Sequence, residues 1–549
     1  MPEIDRSSFA LGAAEDPRGD LVWGTIPGLV AWAGERFGDD EAIVDGDVRL
    51  SFAELASAVD EVATGMLAMG VEAGDRVAIW APNCVEWILG ALGAVRAGAV
   101  IVTLNTRYKG GEASFILRAS GARWLLTVRG FLGADYPALL VGEDIGSLEQ
   151  IVVLKGDAEG DAPSGTTVST LATVVAAAEG VDRSLTATRA EAIDTDAVCD
   201  LVFTSGTTGN PKGAMTTHGQ TLRTFATWAS IVGLRRGDRY LVVNPFFHTF
   251  GYKAGLLASL MAGATVVPEP VFDVDAVLDR IEAEAITMLP GPPTLYQSIL
   301  AHPRRAAVNL SSLRLGVTGA AVVPVELVVA MRDELGFETV LTAYGLTEST
   351  GVVTMCRSDD LPETISTTSG RAIPSIEVCV VDPEGRELDR GLPGEIVVRG
   401  YTVMPGYFED AAETAKAIDA EGWLHTGDVG TMDEAGNVII TDRLKDMYVT
   451  GGFNAYPAEI ESMLRRCPGV AQVAVVGLAD ERMGEVGCAV IVRERGDGDD
   501  VTFAESVIAY ARGAMANYKV PRTVEIVDVL PTNASGKVLK RELRDRFGS

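Results

Sequence analysis

The sequence predicts an α/β fold in which a large N-terminal domain is followed by a small α+β C-terminal domain. Segments that start at Trp87 and Gly255 each place an apolar helix, a small-residue turn and a β-branched strand in that order. This alternation is typical of a parallel sheet covered on both faces, so we expect two related α/β subdomains. From Arg371 the pattern changes to short strands and turns, which predicts a small β-barrel-like subdomain.

The pattern changes again after Asp442, and we place the domain boundary at residues 444–446. A chain of 549 residues is too long for one hydrophobic core. The predicted domains are residues 1–443 and 444–549. Within the second, we expect a helix near Pro457, strands at 473–476 and 488–492, and a final helix near Ala504. Residues 156–167, GDAEGDAPSGTT, form a polar low-complexity loop within the first domain.

Composition and charge exclude several classes of function. The formal net charge of −30 makes nucleic acid an unfavourable partner, and a polyanionic substrate would need a local cationic pocket. Six scattered cysteines and four histidines favour neither a disulfide framework nor a zinc site. We expect a cytoplasmic protein, because no signal-type segment opens the chain and apolar runs such as the one before Arg96 are too short to span a membrane.

The segment TSGTTGNPKG, from Thr204 to Gly213, is the clearest functional signal in the chain. It follows the apolar run CDLVF, and it combines glycines, hydroxyl side chains and one lysine. Glycines allow the backbone to approach an anion closely, while hydroxyls, peptide N–H groups and Lys212 supply donors and positive charge. Proline precedes the lysine here, which distinguishes the segment from the ordinary nucleotide-binding loop. The segment predicts a polyphosphate-binding loop.

Further motifs follow in order along the chain. YGLTES at residues 344–349 comes after an apolar run, so a strand would deliver an aromatic ring, a hydroxyl and a carboxylate to one loop. TGD at residues 426–428 offers a carboxylate that could accept both hydroxyls of a ribose. DRLKDM, from Asp442, and ASGKVLK, from Ala534, complete the series. Each of the later motifs is weak alone.

Together these motifs resemble those of the adenylate-forming acyl-CoA synthetase superfamily, over about residues 25–543. That superfamily also contains firefly-type luciferases and the adenylation domains of peptide synthetases. The resemblance implies two half-reactions, in which a carboxylate first attacks the α-phosphate of ATP and the thiol of CoA then displaces AMP. Both transition states develop charge, so positioned cations and donors are expected to dominate catalysis.

The resemblance also implies a role for each matching residue. The β- and γ-phosphates of ATP would be held by Thr204, Ser205, Gly206, Thr207, Thr208, Gly209 and Lys212. Tyr344 would stack on adenine above Gly319 and Ala320. Thr347 would contact the α-phosphate and Glu348 would help to hold Mg²⁺. The ribose hydroxyls would be bound by Asp428 and Arg443. Lys537 would bridge the attacking carboxylate and the α-phosphate.

The same resemblance implies a mobile C-terminal domain and an acyl pocket. Lys445 would be the hinge about which this domain rotates between half-reactions, and Gly451 and Gly452 would line the channel for CoA. His248 would lie beside the substrate carboxylate, and its neighbours suggest an apolar pocket. The predicted pocket residues are Phe246, Phe247, Phe250 and Lys253. Lys253 either recognises a polar group of the substrate or packs its stem while its head reaches solvent.

A closer resemblance concerns the substrate. Segments such as NPFFHTFGYKAG and LPGPPTLYQSIL are similar to those of actinobacterial CoA ligases of steroid degradation. These ligases activate the propanoate side chain of a two-ring, methyl-dioxo-octahydroindene remnant. The resemblance implies the same acid here, with ATP, CoA and Mg²⁺ as the other reactants and a homodimer as one expected assembly. Alternatives are a ligase for medium- or long-chain fatty acids or aromatic acids, an acyl-AMP ligase or adenylation domain that loads a carrier protein, and a non-catalytic nucleotide-binding protein.

Overall fold

The protein is described by a computed structural model. The described residues are 11, 16–204, 211–319, 323–443, 446–450, 453–455, 457–480, 483–494, 499–515, 517–532 and 538–548, and for 442, 443, 449, 453, 454 and 459 only the backbone is described. The chain divides into two compact units. The first consists of Met1–Val378 with Val398–Leu424, and the second of Cys379–Val397 with His425–Ser549. The boundary predicted between residues 443 and 444 stays a prediction.

The first unit contains an eight-stranded sheet. In spatial order its strands are Lys212–Thr217, Val198–Thr204, Val100–Thr103, Arg76–Trp80, Trp124–Phe131, Gln150–Lys155 and Thr167–Thr170, with Ala134–Asp135 beside Trp124–Phe131. The central pairs are parallel, whereas Lys212–Thr217 and Ala134–Asp135 are antiparallel to their neighbours. The central strands are apolar and buried, as expected for a parallel sheet with covered faces.

A second layer of strands lies in the same unit. Its first four strands follow the order Arg239–Val242, Thr265–Pro268, Glu41–Asp45 and Val48–Ser51. Four further strands follow the order Leu315–Thr318, Thr339–Tyr344, Thr354–Met355 and Arg371–Ala372. Met288 joins the two groups, because it bridges to Tyr240 on one side and to Leu315 on the other. The predicted α/β class is therefore confirmed.

Helices connect these strands. Those of the first unit are Gly19–Trp23, Ile26–Phe37, Phe52–Ala68, Val85–Arg96, Gly110–Ser120, Tyr136–Leu139, Leu171–Ala177, Ser184–Glu191, His218–Val232, Ala258–Ala262, Val274–Ala283, Pro293–Ala301, Val325–Asp333, Pro362–Thr367 and Ala411–Ala417. Phe250–Leu257 is a π-helix, and Pro303–Ala307 and Thr347–Ser349 are 3-10 turns. Local sequence sets many of these ends: Ser51 and Glu54 form a capping box at the start of Phe52–Ala68, and Gly121 ends Gly110–Ser120 with a φ of 60°.

Short strands replace the βα alternation where the sequence predicts them. A four-stranded sheet follows the order Ile376–Val381, Gly394–Gly400, Leu424–Met432 and Val438–Arg443. The second unit also holds a five-stranded sheet made of Phe453–Ala455, Tyr448–Thr450, Gly484–Arg493, Val470–Asp480 and Thr523–Ile526. Its helices are Pro457–Leu464, Asp500–Ala514 and Lys540–Phe547, with a 3-10 turn at Asn517–Lys519.

The helix expected near Ala504 is present as Asp500–Ala514, but it is not the last one. Lys540–Phe547 follows it, and Leu543 is the residue of that helix that becomes buried. Its sequence, KRELRDRF, is mostly charged, so it carries too few apolar residues to show a helical period in the sequence. No helix among the described residues has the length and apolar character needed to cross a membrane.

Candidate active site

The two strands that flank the predicted phosphate loop form a hairpin. Val198–Thr204 pairs antiparallel with Lys212–Thr217, and Thr204 lies directly opposite Lys212 in the register. The local sequence explains this arrangement, because two apolar strands are interrupted by a short run rich in glycine and threonine. Ser205, Gly206, Thr207, Thr208 and Gly209 of the predicted site lie outside the described residues.

Glu348, the predicted Mg²⁺ ligand, lies beside this hairpin. It belongs to the turn Thr347–Ser349, shortly after the strand Thr339–Tyr344. Thr204 Oγ1 donates to Glu348 Oε1 at 3.1 Å, and the Tyr407 hydroxyl donates to the same oxygen at 2.9 Å. The structure therefore brings together Thr204, Lys212 and Glu348, which the sequence places in two separate motifs.

Lys212 forms an ion pair that the sequence does not predict. Its Nζ donates to Glu413 Oε2, and it lies over the Tyr407 ring, 5.2 Å from the centroid. Lys416 also donates to Glu413, at Oε1 and 2.5 Å. These two lysines hold the pKa of the Glu413 carboxyl well below its usual range, at about 2. Burial, reinforced by the nearby Glu348 carboxylate, raises the pKa of Tyr407, so its hydroxyl stays a donor at neutral pH.

Sequence reasoning missed Tyr407 and Glu413. Asp410 accepts a hydrogen bond from the Glu413 peptide N–H at 3.0 Å and caps the helix Ala411–Ala417. In the sequence, Asp410 and Glu413 therefore look like an ordinary helix start. The signal that could have found them is an aromatic residue and two carboxylates just after the strand Gly394–Gly400, which is rich in β-branched residues.

The predicted adenine-binding residues come from neighbouring strands. Leu315–Thr318 and Thr339–Tyr344 are adjacent and parallel, so their carboxyl ends deliver Gly319 and Tyr344 to one edge of the sheet. Ligands of α/β proteins bind at this edge. A Cβ at Gly319 would lie 3.2 Å from the carbonyl oxygen of Ala343, a distance that favours glycine at this position. Tyr344 and Thr347 are half-buried, and Ala320 lies outside the described residues.

The predicted ribose-binding residues belong to the second unit. Asp428 lies in the strand Leu424–Met432, rather than in a free turn, and its Cα pairs across the sheet with that of Arg443. Glu395 supports this strand: its two oxygens accept from the Gly427 peptide N–H at 3.0 Å and contact Nδ1 of His425 at 2.8 Å. The backbones of Asp428 and Arg443 are thus adjacent, as a shared ribose site requires.

Three more predicted functions belong to residues that lie outside the described part of the chain. These residues are Lys445, Gly451, Gly452 and Lys537. Their roles as hinge, channel and catalytic lysine stay predictions. Thr532 and Val538, on either side of the segment that contains Lys537, pair as an isolated antiparallel bridge.

The predicted acyl pocket needs one correction. Phe246 is fully buried, packs its ring 5.0 Å from that of Trp87, and donates its peptide N–H to Asn83 Oδ1 at 2.7 Å. It is a core residue rather than part of an accessible wall. Phe247 and Phe250 keep accessible surface, and the Phe250 ring meets Trp228 edge-on at 6.0 Å.

His248 has an exposed side chain. Its Nδ1 accepts the Phe250 peptide N–H at 3.2 Å. Although the side chain keeps accessible surface, protein atoms closely surround the ring, and this desolvation disfavours the imidazolium and lowers the pKa of His248. At neutral pH the ring is therefore uncharged, and with Nδ1 accepting, its proton lies on Nε2.

Lys253 corrects a second expectation. Its side chain has no accessible surface, so the interpretation in which its head reaches solvent is wrong. Its Nζ lies 2.9 Å from Asp200 Oδ2 and donates to Thr216 Oγ1 at 2.6 Å, while Thr216 in turn donates to Asp200 Oδ1 at 2.5 Å. Recognition of a substrate group by Lys253 stays a prediction, and this buried ion pair counts against it.

The Lys253 ion pair connects three elements of the site. Asp200 lies on the strand before the phosphate loop, Thr216 on the strand after it, and Lys253 on the π-helix Phe250–Leu257. π-Helical turns are rare and are frequent at functional sites. The ion pair therefore fixes the helix that carries Phe250 against the hairpin that carries the loop.

His218, next to this ion pair, is expected to make the protein less stable at acidic pH. The buried Nδ1 of His218 accepts the Ile26 peptide N–H at 3.2 Å, and burial lowers the pKa of the ring from 6.5 to about 4. Between pH 6.5 and pH 4 the histidine is protonated in the unfolded chain but not in the folded protein. The contribution of the neutral His218 ring to the free energy of unfolding is therefore complete above pH 6.5 and is lost as the pH falls towards 4. We expect a loss of roughly 3 kcal/mol.

Urea unfolding of the wild type and of His218→Asn at neutral and acidic pH measures this contribution. Asparagine keeps an acceptor for the Ile26 peptide but does not titrate, so its unfolding free energy should fall less on acidification. Equal losses in the two proteins would show that His218 is not responsible.

Comparison with known proteins identifies the family of the chain. Residues 30–408 match the AMP-binding enzyme family, and residues 459–537 match the AMP-binding enzyme C-terminal domain. The chain is 50% identical to the 3-[(3aS,4S,7aS)-7a-methyl-1,5-dioxo-octahydro-1H-inden-4-yl]propanoyl:CoA ligase of Rhodococcus jostii, over 95% of this chain and 98% of that protein. It is 48% identical to the Mycobacterium tuberculosis protein of the same name, with the same coverage.

A solved structure shares the fold. ATP-bound MatB from Rhodopseudomonas palustris superposes with a TM-score of 0.81 at 30% identity, over 96% of this chain and 99% of that one. The family match covers more than half of the chain, and it includes Thr204, Lys212, Glu348 and Tyr407. The chain belongs to the AMP-binding enzyme family.

Proposed function

We propose that this protein is an ATP-dependent, AMP-forming acid:CoA ligase whose acid is the propanoate of a methyl-dioxo-octahydroindene, a two-ring product of steroid degradation. Membership of the family supports the ligase reaction, with ATP and CoA as substrates. The observation that carries the choice of acid is the 50% identity, over 95% of the chain, to a ligase named for this acid.

In the first half-reaction a carboxylate oxygen of the acid attacks the α-phosphorus of ATP. A bond forms between this oxygen and phosphorus, the bond to the bridging oxygen breaks, and pyrophosphate leaves. Lys212 and Thr204, with the loop between them, would hold the departing phosphates, and Thr347 would donate to the α-phosphate. Lys537 would stabilise the negative charge that develops between the carboxylate and the α-phosphate.

The nucleoside would be held by residues of the YGLTES and TGD motifs. Tyr344 would stack on adenine beside Gly319. Asp428 and Arg443 would bind the ribose hydroxyls, a role supported by their cross-strand pairing. These residues would place the α-phosphate in line with the incoming carboxylate, and positioning of this kind accounts for much of the rate of such a transfer.

The residues present fit Mg²⁺. This ion is usually held in proteins by one or two carboxylates together with substrate phosphates and water. Glu348 supplies one such carboxylate, half-buried and held in place by Thr204 and Tyr407. When bound, Mg²⁺ would neutralise charge on the phosphates, and Glu348 would be its ligand from this chain.

In the second half-reaction the sulfur of CoA attacks the carbonyl carbon of the acyl-adenylate. The thioester bond forms, AMP leaves, and the thiol proton is released. Residues 444–549 would rotate relative to residues 1–443 about Lys445 between the two steps, which would withdraw Lys537. Gly451 and Gly452 would line the channel for the pantetheine arm, since a glycine backbone can pass close to a thin ligand.

The proposed acyl pocket would receive the carboxylate side chain of the acid beside His248. Phe247, Phe250 and the exposed ring of His248 would line it, and the neutral His248 would donate from Nε2 to the substrate carboxylate. A neutral donor can orient a carboxylate without the strong pairing that would lower its nucleophilicity.

The proposal is tested by measuring thioester formation for a set of acids. The expected result is a kcat/KM for the steroid-derived propanoate at least 100-fold above those for octanoate, palmitate and benzoate-type acids. A clear preference for a fatty or aromatic acid would overturn the choice of substrate and leave the ligase class intact. Transfer to an added carrier protein but not to CoA would instead favour a carrier-loading enzyme.

Two further features belong to the proposal. We expect the enzyme to act in the cytoplasm, where ATP and CoA are available. A homodimer is an expected assembly, and sedimentation measurements would detect it directly.

A further inference from the structure

The pairing of Lys212 with Glu413 points to a displaceable internal anion at the phosphate site. We propose that the Glu413 carboxylate occupies Lys212 when no nucleotide is bound, that the β- and γ-phosphates of ATP take its place, and that it recaptures Lys212 as pyrophosphate leaves. Glu413 would thereby set the affinity for ATP and the rate of pyrophosphate release. The inference rests on the proposed function, because it assumes that Lys212 binds the phosphates of ATP.

The position of Lys212 makes it a group that the phosphates can reach. It begins the strand after the phosphate loop, and its Nζ lies against Glu413 and above the Tyr407 ring. The hydroxyl of the same tyrosine donates to Glu348, the proposed Mg²⁺ ligand, at 2.9 Å. Tyr407 therefore contacts both groups that would meet the phosphates, which places the Lys212–Glu413 ion pair within the site.

Charge explains why the site would need an internal anion. Lys212 is mostly buried, with 14% of its side chain exposed, and an ammonium in such a position is costly without a partner. Glu413 supplies that partner in the absence of ATP. A polyphosphate carries several negative charges in place of one, so it can compete successfully for the same lysine.

Glu413 has a second cationic partner, Lys416, when Lys212 binds the phosphates instead. Lys416 lies one helical turn further along Ala411–Ala417 and donates to Glu413 Oε1, the oxygen that Lys212 does not use. Lys416 is 70% exposed, so it can follow the carboxylate. Release of Lys212 therefore leaves Glu413 paired instead of isolated, which lowers the cost of the exchange.

The exchange predicts that Glu413 affects two steps, the binding of ATP and the release of pyrophosphate. Before catalysis, Glu413 competes with ATP and weakens its binding. After catalysis, the same competition speeds the release of pyrophosphate. Removing the charge of Glu413 should tighten both ligands by about fivefold, the size expected for a partly exposed ion pair.

The test compares Glu413→Gln with the wild type by direct binding of ATP, pyrophosphate and AMP without acid. We expect Glu413→Gln to lower the Kd of ATP and of pyrophosphate about fivefold and to leave that of AMP unchanged, since AMP lacks the displaced phosphates. Steady-state inhibition by pyrophosphate should become stronger by the same factor. Unchanged AMP binding also shows that the variant is folded.

Two further variants separate this account from a structural role. Lys416→Ala keeps the Lys212–Glu413 pair and should not tighten ATP binding. Lys212→Met combined with Glu413→Gln should show no gain over Lys212→Met alone, because the gain acts through Lys212. Equal or weaker ATP binding by Glu413→Gln, or an equal change for AMP, would overturn the inference. A wild-type protein that binds neither ATP nor pyrophosphate would contradict the proposed function itself.

Discussion

Substituting Lys537 by alanine is expected to slow adenylate formation by about 100-fold or more, while thioester formation from supplied acyl-adenylate stays near the wild-type rate. The difference follows from where charge develops. In the first half-reaction a carboxylate approaches a phosphate, and an ammonium between them would stabilise charge that is present only in the transition state. In the second, the carboxylate has already reacted and Lys537 would have moved away.

The two half-reactions can be measured separately. Acid-dependent exchange of labelled pyrophosphate into ATP reports the first, and thioester formation from the synthetic adenylate and CoA reports the second. Arg541→Ala is a matched control, because Arg541 lies four residues further along the chain and 80% of its side chain is exposed. A similar loss in both half-reactions of Lys537→Ala would show that the assigned role is wrong.

Substituting Lys253 by methionine is expected to lower the free energy of unfolding by about 3–5 kcal/mol. Methionine fills a similar volume but leaves Asp200 without its cation in a fully buried position. Among the residues that the structure describes, the remaining donors to Asp200 are the Thr216 hydroxyl and the Cys199 thiol, at 2.5 and 3.2 Å, and neither carries a charge. Breaking a buried ion pair by removing one partner is costly because the other charge stays behind.

A double-mutant cycle separates loss of charge from loss of packing. Asp200→Asn added to Lys253→Met removes the uncompensated charge and should restore part of the stability, as measured by urea unfolding. Arg183→Met, which breaks an exposed pair with Glu61 at 3.2 Å in the same unit, should cost less than about 1 kcal/mol. A loss of that small size for Lys253→Met would contradict the account.

The sequence predicts those parts of the fold and site that depend on local pattern. The phosphate loop is recognisable because its glycines, hydroxyls and lysine are contiguous and follow an apolar strand. The strand that delivers Tyr344 is predicted because an apolar run, VLTA, precedes the YGLTES motif. Sheet order then brings the motifs to one edge.

Contacts between distant parts of the chain have no such local signal. Lys212 and Glu413 are 201 residues apart, and Lys253 lies 37 residues from Thr216. No period or spacing in the sequence links these side chains. The sequence therefore predicts Lys253 as a pocket residue and gives no functional signal for Glu413, which follows the helix cap Asp410. The burial of Phe246 is hard to predict for a related reason. Its packing against Trp87 depends on how distant elements meet in the fold, whereas the aromatic run around Phe246 in the sequence is compatible with either a pocket or a core.

The central claim, that this chain activates an acid as its adenylate before transfer to CoA, is tested most directly by one balanced assay. ATP, CoA and the methyl-dioxo-octahydroindene propanoate are incubated with the enzyme, and AMP, pyrophosphate and thioester are quantified together. The account predicts the three products in equal amounts, with no AMP when the acid is omitted. Formation of ADP and phosphate, or AMP release that does not depend on the acid, would contradict it.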